Sequence, residues 1–492
     1  MGNERVQVML PYTSSNAGDR KNVKKQYLLG AFYSGLYLYN GASFTHFATE
    51  GDSLIKNNTL YKGTLLPDGS YALSTAGKGV IVVNNQGKKL QQLNREVGLQ
   101  DESVYAIYTD RKGTLWMALD NGISRVESAS PFTQFTVKSG ITTAAISINR
   151  FNGVLYVGTT NGLLRFNSNT AKFEQIKGIP TNQVFALKPD SNSMLISTDG
   201  LLYIRDNKPG IIKKSVAGNL LISALTIYKK NPDILFAGLA GGIAIFKKNS
   251  NKIVKEEKTS SSDWMFVGNI PDISEDVWSF AEGIDGTMWT GTQQGVLRLS
   301  DFIDSTGNPT PTKAHVERFG TADGLSEGNI HVSSVNGKVF FISNSAVYRF
   351  NETNRRFVTD NTFGERGFGN DPNQYVMTTD NKGRVWLNFG KETALALPQK
   401  GGGYHVEKTP FLPLADHVIA NIFPEANGTV WFATTDGLIK YNENLKKDYD
   451  EPFKTLLRNV IAGKQALPIV SSDNQQTPLD YKQNTLRFEY AA

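Results

Sequence analysis

The sequence predicts an all-β protein: a β-propeller of two adjacent rings of four-stranded blades, one ring incomplete. Three observations predict it. A motif returns along the chain, as Gly113-Thr114-Leu115-Trp116-Met117-Ala118, Gly286-Thr287-Met288-Trp289-Thr290-Gly291 and Gly428-Thr429-Val430-Trp431-Phe432-Ala433. Each copy is followed by a turn and a second short apolar run, at Asn121-Gly122-Ile123, Gln294-Gly295-Val296 and Asp436-Gly437-Leu438. The turn glycines, Gly35, Gly79, Gly122, Gly162, Gly200, Gly242, Gly295 and Gly437, recur mostly every 40 to 50 residues or so, the size of one propeller blade.

The unit around Trp116 shows the order of elements. Val104 to Tyr108 reads as an inner strand and Asp110-Arg111-Lys112-Gly113 as a turn. Leu115 to Ala118 is a second strand, Asp120-Asn121-Gly122 a tight turn, and Ile123 to Val126 a third strand. Phe132-Thr133-Gln134-Phe135 is expected to be the outer fourth strand of this same unit. Two weaker units, around Val339 to Ser343 and Val385 to Phe389, bring the number to ten. Single propellers commonly close with about four to eight blades, so ten units imply two rings. The wider gap between Gly242 and Gly295 reads either as a change of ring or as a long loop, and Glu257 to Asp276 reads as loop.

Residues 1–26 are expected to be an N-terminal lead-in, 27–450 the repeats, and 451–492 a linker and the opening of a further β domain. Trp116, Trp289, Trp386 and Trp431 share one register with Tyr156, Phe236 and Phe340. A large apolar residue at that place is expected to wedge between adjacent blades.

Composition narrows the function. With 39% hydrophobic and 20% charged residues the chain is of a folding composition. The net charge of +6 is scattered, so no nucleic-acid footprint is expected. The chain has no cysteine, which removes thiol chemistry and thiolate metal sites. The five histidines show no close metal-ligand spacing, and neither a metal nor a cofactor is expected. The acidic pairs Asp101-Glu102 and Glu275-Asp276 read as strand-edge residues, so no catalytic residue is assigned.

Asp110 to Ile123, Asp285 to Val296, Asp380 to Phe389 and Asn427 to Leu438 resemble the repeat Asp-x-x-Gly-x-Leu-Trp-x-Gly-Thr-x-x-Gly-Leu of bacterial two-component regulator propellers. The run Leu479 to Tyr490 resembles the opening of the tyrosine-rich, immunoglobulin-like domain that follows such propellers. The resemblance covers about residues 30–445. It implies a periplasmic or extracytoplasmic sensor, an oligosaccharide signal, a membrane helix and kinase module outside this stretch, and a homodimer in the full receptor. A protein-binding scaffold, or a propeller lyase or lactone hydrolase, are the alternatives.

Propeller ligands sit where blade loops converge. Asn121, Asn161, Asp199, Gln294 and Asp436 in the turns are candidates to bind sugar hydroxyls, with Trp264 and Trp278 to cover apolar sugar faces. Tyr33, Phe368 and Tyr375 are further aromatics beside expected loops.

Overall fold

Every repeat forms an antiparallel sheet for the same local reason: short apolar runs alternate with turns that their own side chains close. In the computed structural model, residues 1–3, 13–25, 128–129, 169, 171, 207, 213–220, 249–262, 365–374, 391, 446, 448, 450–455, 464, 468–478 and 492 are outside the description; all others are described. Among the described residues, ten sheets of three or four strands lie in unit one, Met1–Lys446, and a three-stranded sheet lies in unit two, Lys447–Ala492.

The repeated threonine closes the turn between second and third strands. The Thr292 hydroxyl donates to the Gly295 carbonyl at 3.0 Å and accepts from the Gln294 amide. Thr159 treats Gly162 and Asn161 alike, and Thr434 does the same for Gly437 and Asp436. The glycine is required there. Gly295 has φ +126°, and a Cβ on it would collide with the Phe319 carbonyl; Gly437 meets the Phe135 carbonyl in the same way.

The repeated aspartate closes the other turn. Asp110 Oδ1 accepts from the amides of Lys112 and Thr114, and its Oδ2 accepts from the Trp116 indole at 2.9 Å. Asp380 repeats this with Lys382, Arg384 and Trp386. Burial raises the Asp380 pKa, but the Trp386 indole, the Arg384 guanidinium and the two amides outweigh it and hold the carboxyl below its ordinary value.

The first three sheets form a row. Their inner strands, Val6–Tyr12, Leu60–Leu65 and Val104–Thr109, lie side by side in that order. Val6–Tyr12 pairs with Gln26–Ala31, so the stretch expected as a lead-in carries the first strand of the first sheet. Its alternation of apolar residues, with Val8 buried against Leu28 and Leu73, is too short to stand out from sequence.

The remaining seven sheets close a ring. Their inner strands are Ala145–Phe151, Ala186–Pro189, Ile222–Ile227, Val277–Glu282, His331–Val335, Tyr375–Thr379 and Ile419–Pro424. Each touches the next, and the last touches the first. Phe132–Phe135 corrects the sequence expectation. It pairs with Gly437–Asn442, so it is the outer strand of the last blade, and among the described residues the Trp116 sheet has three strands. The wide gap between Gly242 and Gly295 lies inside this ring, between two of its blades.

Serines tie inner strands to the following blade. Ser147 donates to the Val184 carbonyl at 3.2 Å, and Ser333 to the Met377 carbonyl at 2.8 Å. Ser223 reaches Val277 in the same manner, and Ser279 accepts from the Val332 amide.

Trp289, Trp386 and Trp431 are buried between blades, as are Tyr156, Phe236 and Phe340. Trp289 packs against Phe341 of the next sheet at 4.9 Å between ring centroids. Trp116 departs from the expectation of a wedge: it is 40% exposed, because among the described residues no sheet packs on its side of the third sheet.

In unit two, Leu456–Ala462 pairs with Gln465–Leu467 on one side and Leu486–Ala491 on the other, both antiparallel.

Candidate functional site

The pairing of strands decides where side chains meet. Ala145 stands opposite Thr159, Ile222 opposite Leu239, Val277 opposite Thr292, and Ile419 opposite Thr434. The start of each inner strand therefore lies beside the turn that follows the second strand. These turns, and the connectors entering the inner strands, converge on one end of the ring.

The inner strands carry a bulge at that end, between Ala145 and Ser147, Ile222 and Ala224, Val277 and Ser279, and Ile419 and Asn421. A bulge places an extra residue against a single partner and re-aims its side chain. Three of the residues so placed are small or aliphatic: Ile146, Ser223 and Ala420. The fourth is Trp278, which is 38% exposed.

Asn161, Asp199, Gln294 and Asp436 all occupy turns at this end and are exposed. Threonine and glycine close the turns of Asn161, Gln294 and Asp436, whereas Asp199 Oδ1 accepts from the hydroxyl of its own turn threonine, Thr198, at 3.1 Å. The connectors add groups that sequence reasoning missed or left unplaced. Asn182 donates to Asp199 Oδ2 at 2.9 Å. His417 Nδ1 lies 3.4 Å from Asp436 Oδ2. Arg318 donates to Glu275 at 2.8 Å. Burial raises the Glu275 pKa, but Arg318 and the amides of Glu275 and Ser274 hold it below its ordinary value. Asn182 lies in a connector, which has no hydrophobic period, and Arg318 lies in the outer strand His315–Phe319, which carries no motif, so neither carried a signal; only the pairing places them.

Other candidates lie elsewhere. Asn121 is in the three-sheet row, outside the ring. Trp264 opens the strand Trp264–Asn269 and is buried, in place of the expected loop position; its indole donates to Asp190 at 2.6 Å, and the Lys248 ammonium lies over its ring. Tyr375 is buried in an inner strand, and Tyr33 is exposed in a turn of the first sheet. Phe368 lies outside the described residues.

Among the described residues no group of three or more His, Asp or Glu side chains could hold a metal ion. No helix among them is long and apolar enough to cross a membrane.

Comparison with known proteins follows this geometry. Residues 98–121, which hold the inner and second strands of the third sheet, match the family model of the two component regulator propeller. No curated protein matches the chain significantly. Among solved structures, the chain is similar to the extracellular domain of the putative hybrid two component system BT3049 from B. thetaiotaomicron. The TM-score is 0.65 at 16% identity, covering 99% of this chain and 63% of that one. The extracellular domain of BT4673 from the same organism aligns over 99% of this chain and 88% of its own, at 15% identity and a TM-score of 0.22. PorZ of Porphyromonas gingivalis aligns over 89% of this chain and 69% of its own, at 14% identity and 0.42.

The chain is a β-propeller protein. One of its repeats matches the two component regulator propeller model, and its fold is similar to that of the extracellular domain of BT3049.

Proposed function

We propose that this chain is the extracytoplasmic ligand-sensing region of a two-component signalling receptor, and that the ring end bearing Trp278 takes an oligosaccharide. One observation carries the reading: an exposed tryptophan on an inner-strand bulge, at the end where the exposed side chains of Asn161, Asp199, Gln294 and Asp436 stand. An indole face covers the apolar face of a sugar ring, and amides and carboxylates satisfy its hydroxyls. The chain senses and does not catalyse. Signal passes to a membrane helix and a kinase module elsewhere in the receptor, where two receptor chains act as a dimer.

The test is a thermal-shift screen of the chain against defined plant, host and microbial oligosaccharides, with calorimetry on each hit. Saturable stabilisation by one glycan class, lost in Trp278→Ala, supports the reading, because a ligand that binds only the native state raises stability. Stabilisation that Trp278→Ala leaves untouched removes the site. No stabilisation by any glycan removes the ligand class.

A further inference from the structure

Each blade of the ring enters its inner strand through a buried residue, Val184, Ile222, Val277 and Ile330 among them. The amides of Val184, Ile222 and Ile330 each donate to the carbonyl of the turn threonine on the preceding blade. The next residue is at least partly exposed on every blade. That is the place of Trp278 and of Ile146, Ser223 and Ala420. The other three blades put Phe185, His331 and Val376 there.

Trp278 and His331 belong to adjacent blades. The residues that follow them are joined, since the Val332 amide donates to the Ser279 hydroxyl at 2.9 Å. The two aromatic side chains therefore start from backbones held together at one seam of the ring end. The turn that carries Gln294 is tied to the same seam, because the Ile330 amide donates to its Thr292 carbonyl.

His331 is the odd member of the set. Its imidazole is mostly buried, with the Tyr375 ring edge-on at 6.3 Å. Yet neither ring nitrogen has a hydrogen-bond or ion-pair partner among the described residues. Burial alone lowers its pKa to about 4, so at neutral pH one nitrogen is a donor and the other an acceptor. Buried polar groups are with few exceptions hydrogen-bonded, and an unpaired one costs stability. A packing role needs no such group, because a phenyl ring fills the place without that cost. A donor and an acceptor beside an exposed indole suit a sugar hydroxyl, which offers both. With His331 neutral, none of the seven positions bears a charge, so this wall offers no ion pair.

We infer that His331 is a specificity-determining residue of the glycan site, hydrogen-bonding a hydroxyl of an uncharged sugar unit that stacks on Trp278. The inference rests on the reading of this ring end as a glycan site. It adds the residue that reads a hydroxyl and the charge class of the sugar.

The experiment is thermal unfolding and calorimetric binding of the whole chain, with His331→Phe and His331→Gln, at neutral pH. The probes are neutral cello-, manno-, xylo- and galacto-oligosaccharides, with oligogalacturonate and chondroitin sulfate oligosaccharides as acidic counterparts. The wild type should be stabilised saturably by a neutral probe and by no acidic one. His331→Phe should lose affinity by about tenfold or more, as expected for one hydrogen bond in a buried site. His331→Gln, which keeps a donor and an acceptor, should recover most of it. Without sugar, His331→Phe should melt no lower than the wild type. If it melts several degrees lower, His331 is a packing residue and the inference falls whatever the sugars do. A neutral probe bound equally by wild type and His331→Phe, or binding of acidic probes alone, overturns the inference and leaves the glycan reading standing. No binding of any probe by folded wild type overturns both.

Discussion

Phe132 stands directly opposite Tyr441, its ring centroid 4.9 Å away, across 309 residues of chain. Three positions on, Phe135 packs against Trp431 at 5.5 Å. These contacts hold the outer strand of the last blade, the strand that arrives from the other end of the ring. Replacing Phe135 with Ala removes about 3 kcal/mol of packing. The expected outcome is a lowered melting temperature and faster proteolysis within the ring. An unchanged melting temperature would show that the ring holds without this strand.

The turn threonines make a separate prediction. Thr292 is 1% exposed, and its hydroxyl is the partner of the Gly295 carbonyl. Thr292→Val keeps the shape and strands that carbonyl along with the Gln294 amide, at a cost of about 1–3 kcal/mol. Chemical denaturation of the variant measures it. Thr292→Ser, which restores the hydroxyl, should recover most of the loss.

His331 sets a pH dependence. Burial lowers its pKa from 6.5 to about 4. The folded chain thus binds its proton less readily than the unfolded chain. Stability from this group is complete above pH 6.5 and is lost as pH falls through about 4, by up to about 3 kcal/mol. Denaturation curves between pH 4 and pH 7 should be flatter for His331→Gln than for the wild type. Equal slopes would remove His331 as the cause.

Trp278 and Trp386 should behave oppositely. Trp386 is fully buried, so Trp386→Ala should cost roughly 3–5 kcal/mol. Trp278 is partly exposed at the ring end, so Trp278→Ala should change melting little while abolishing a glycan-induced shift. A large loss of stability in Trp278→Ala would make it a packing residue.

Much of the fold was readable because each motif residue closes its own local geometry. Asp110, Thr159, Gly295 and Trp386 act within one hairpin, and their spacing is fixed by that hairpin. The ring boundary was not readable. Phe132–Phe135 is four residues with no motif, and nothing local says whether it pairs with Val126 nearby or with Tyr441. Trp116 misled for the same reason: its hairpin is built like that of Trp289, and burial depends on a neighbour its own residues do not specify. Of the candidate site, the turn residues Asn161, Asp199, Gln294 and Asp436 could be picked out as turns. Their convergence came only from strand pairing. Trp264 could not be separated from Trp278 by sequence, since one indole finds Asp190 on a turn 74 residues earlier and the other stands on a bulge.

The clasp of the ring has a mechanical meaning. The chain enters the ring from the third sheet through Phe132–Phe135 and leaves it toward the second unit after Gly437–Asn442. These two strands are antiparallel neighbours whose incoming and outgoing ends lie together, so tension on the chain falls first on the Phe132–Tyr441 pair and then passes along the ladder to Phe135–Leu438. Pulling the two ends apart loads that ladder before any other part of the ring. The last blade is the lock of the ring, and it opens from the end where the chain both enters and leaves.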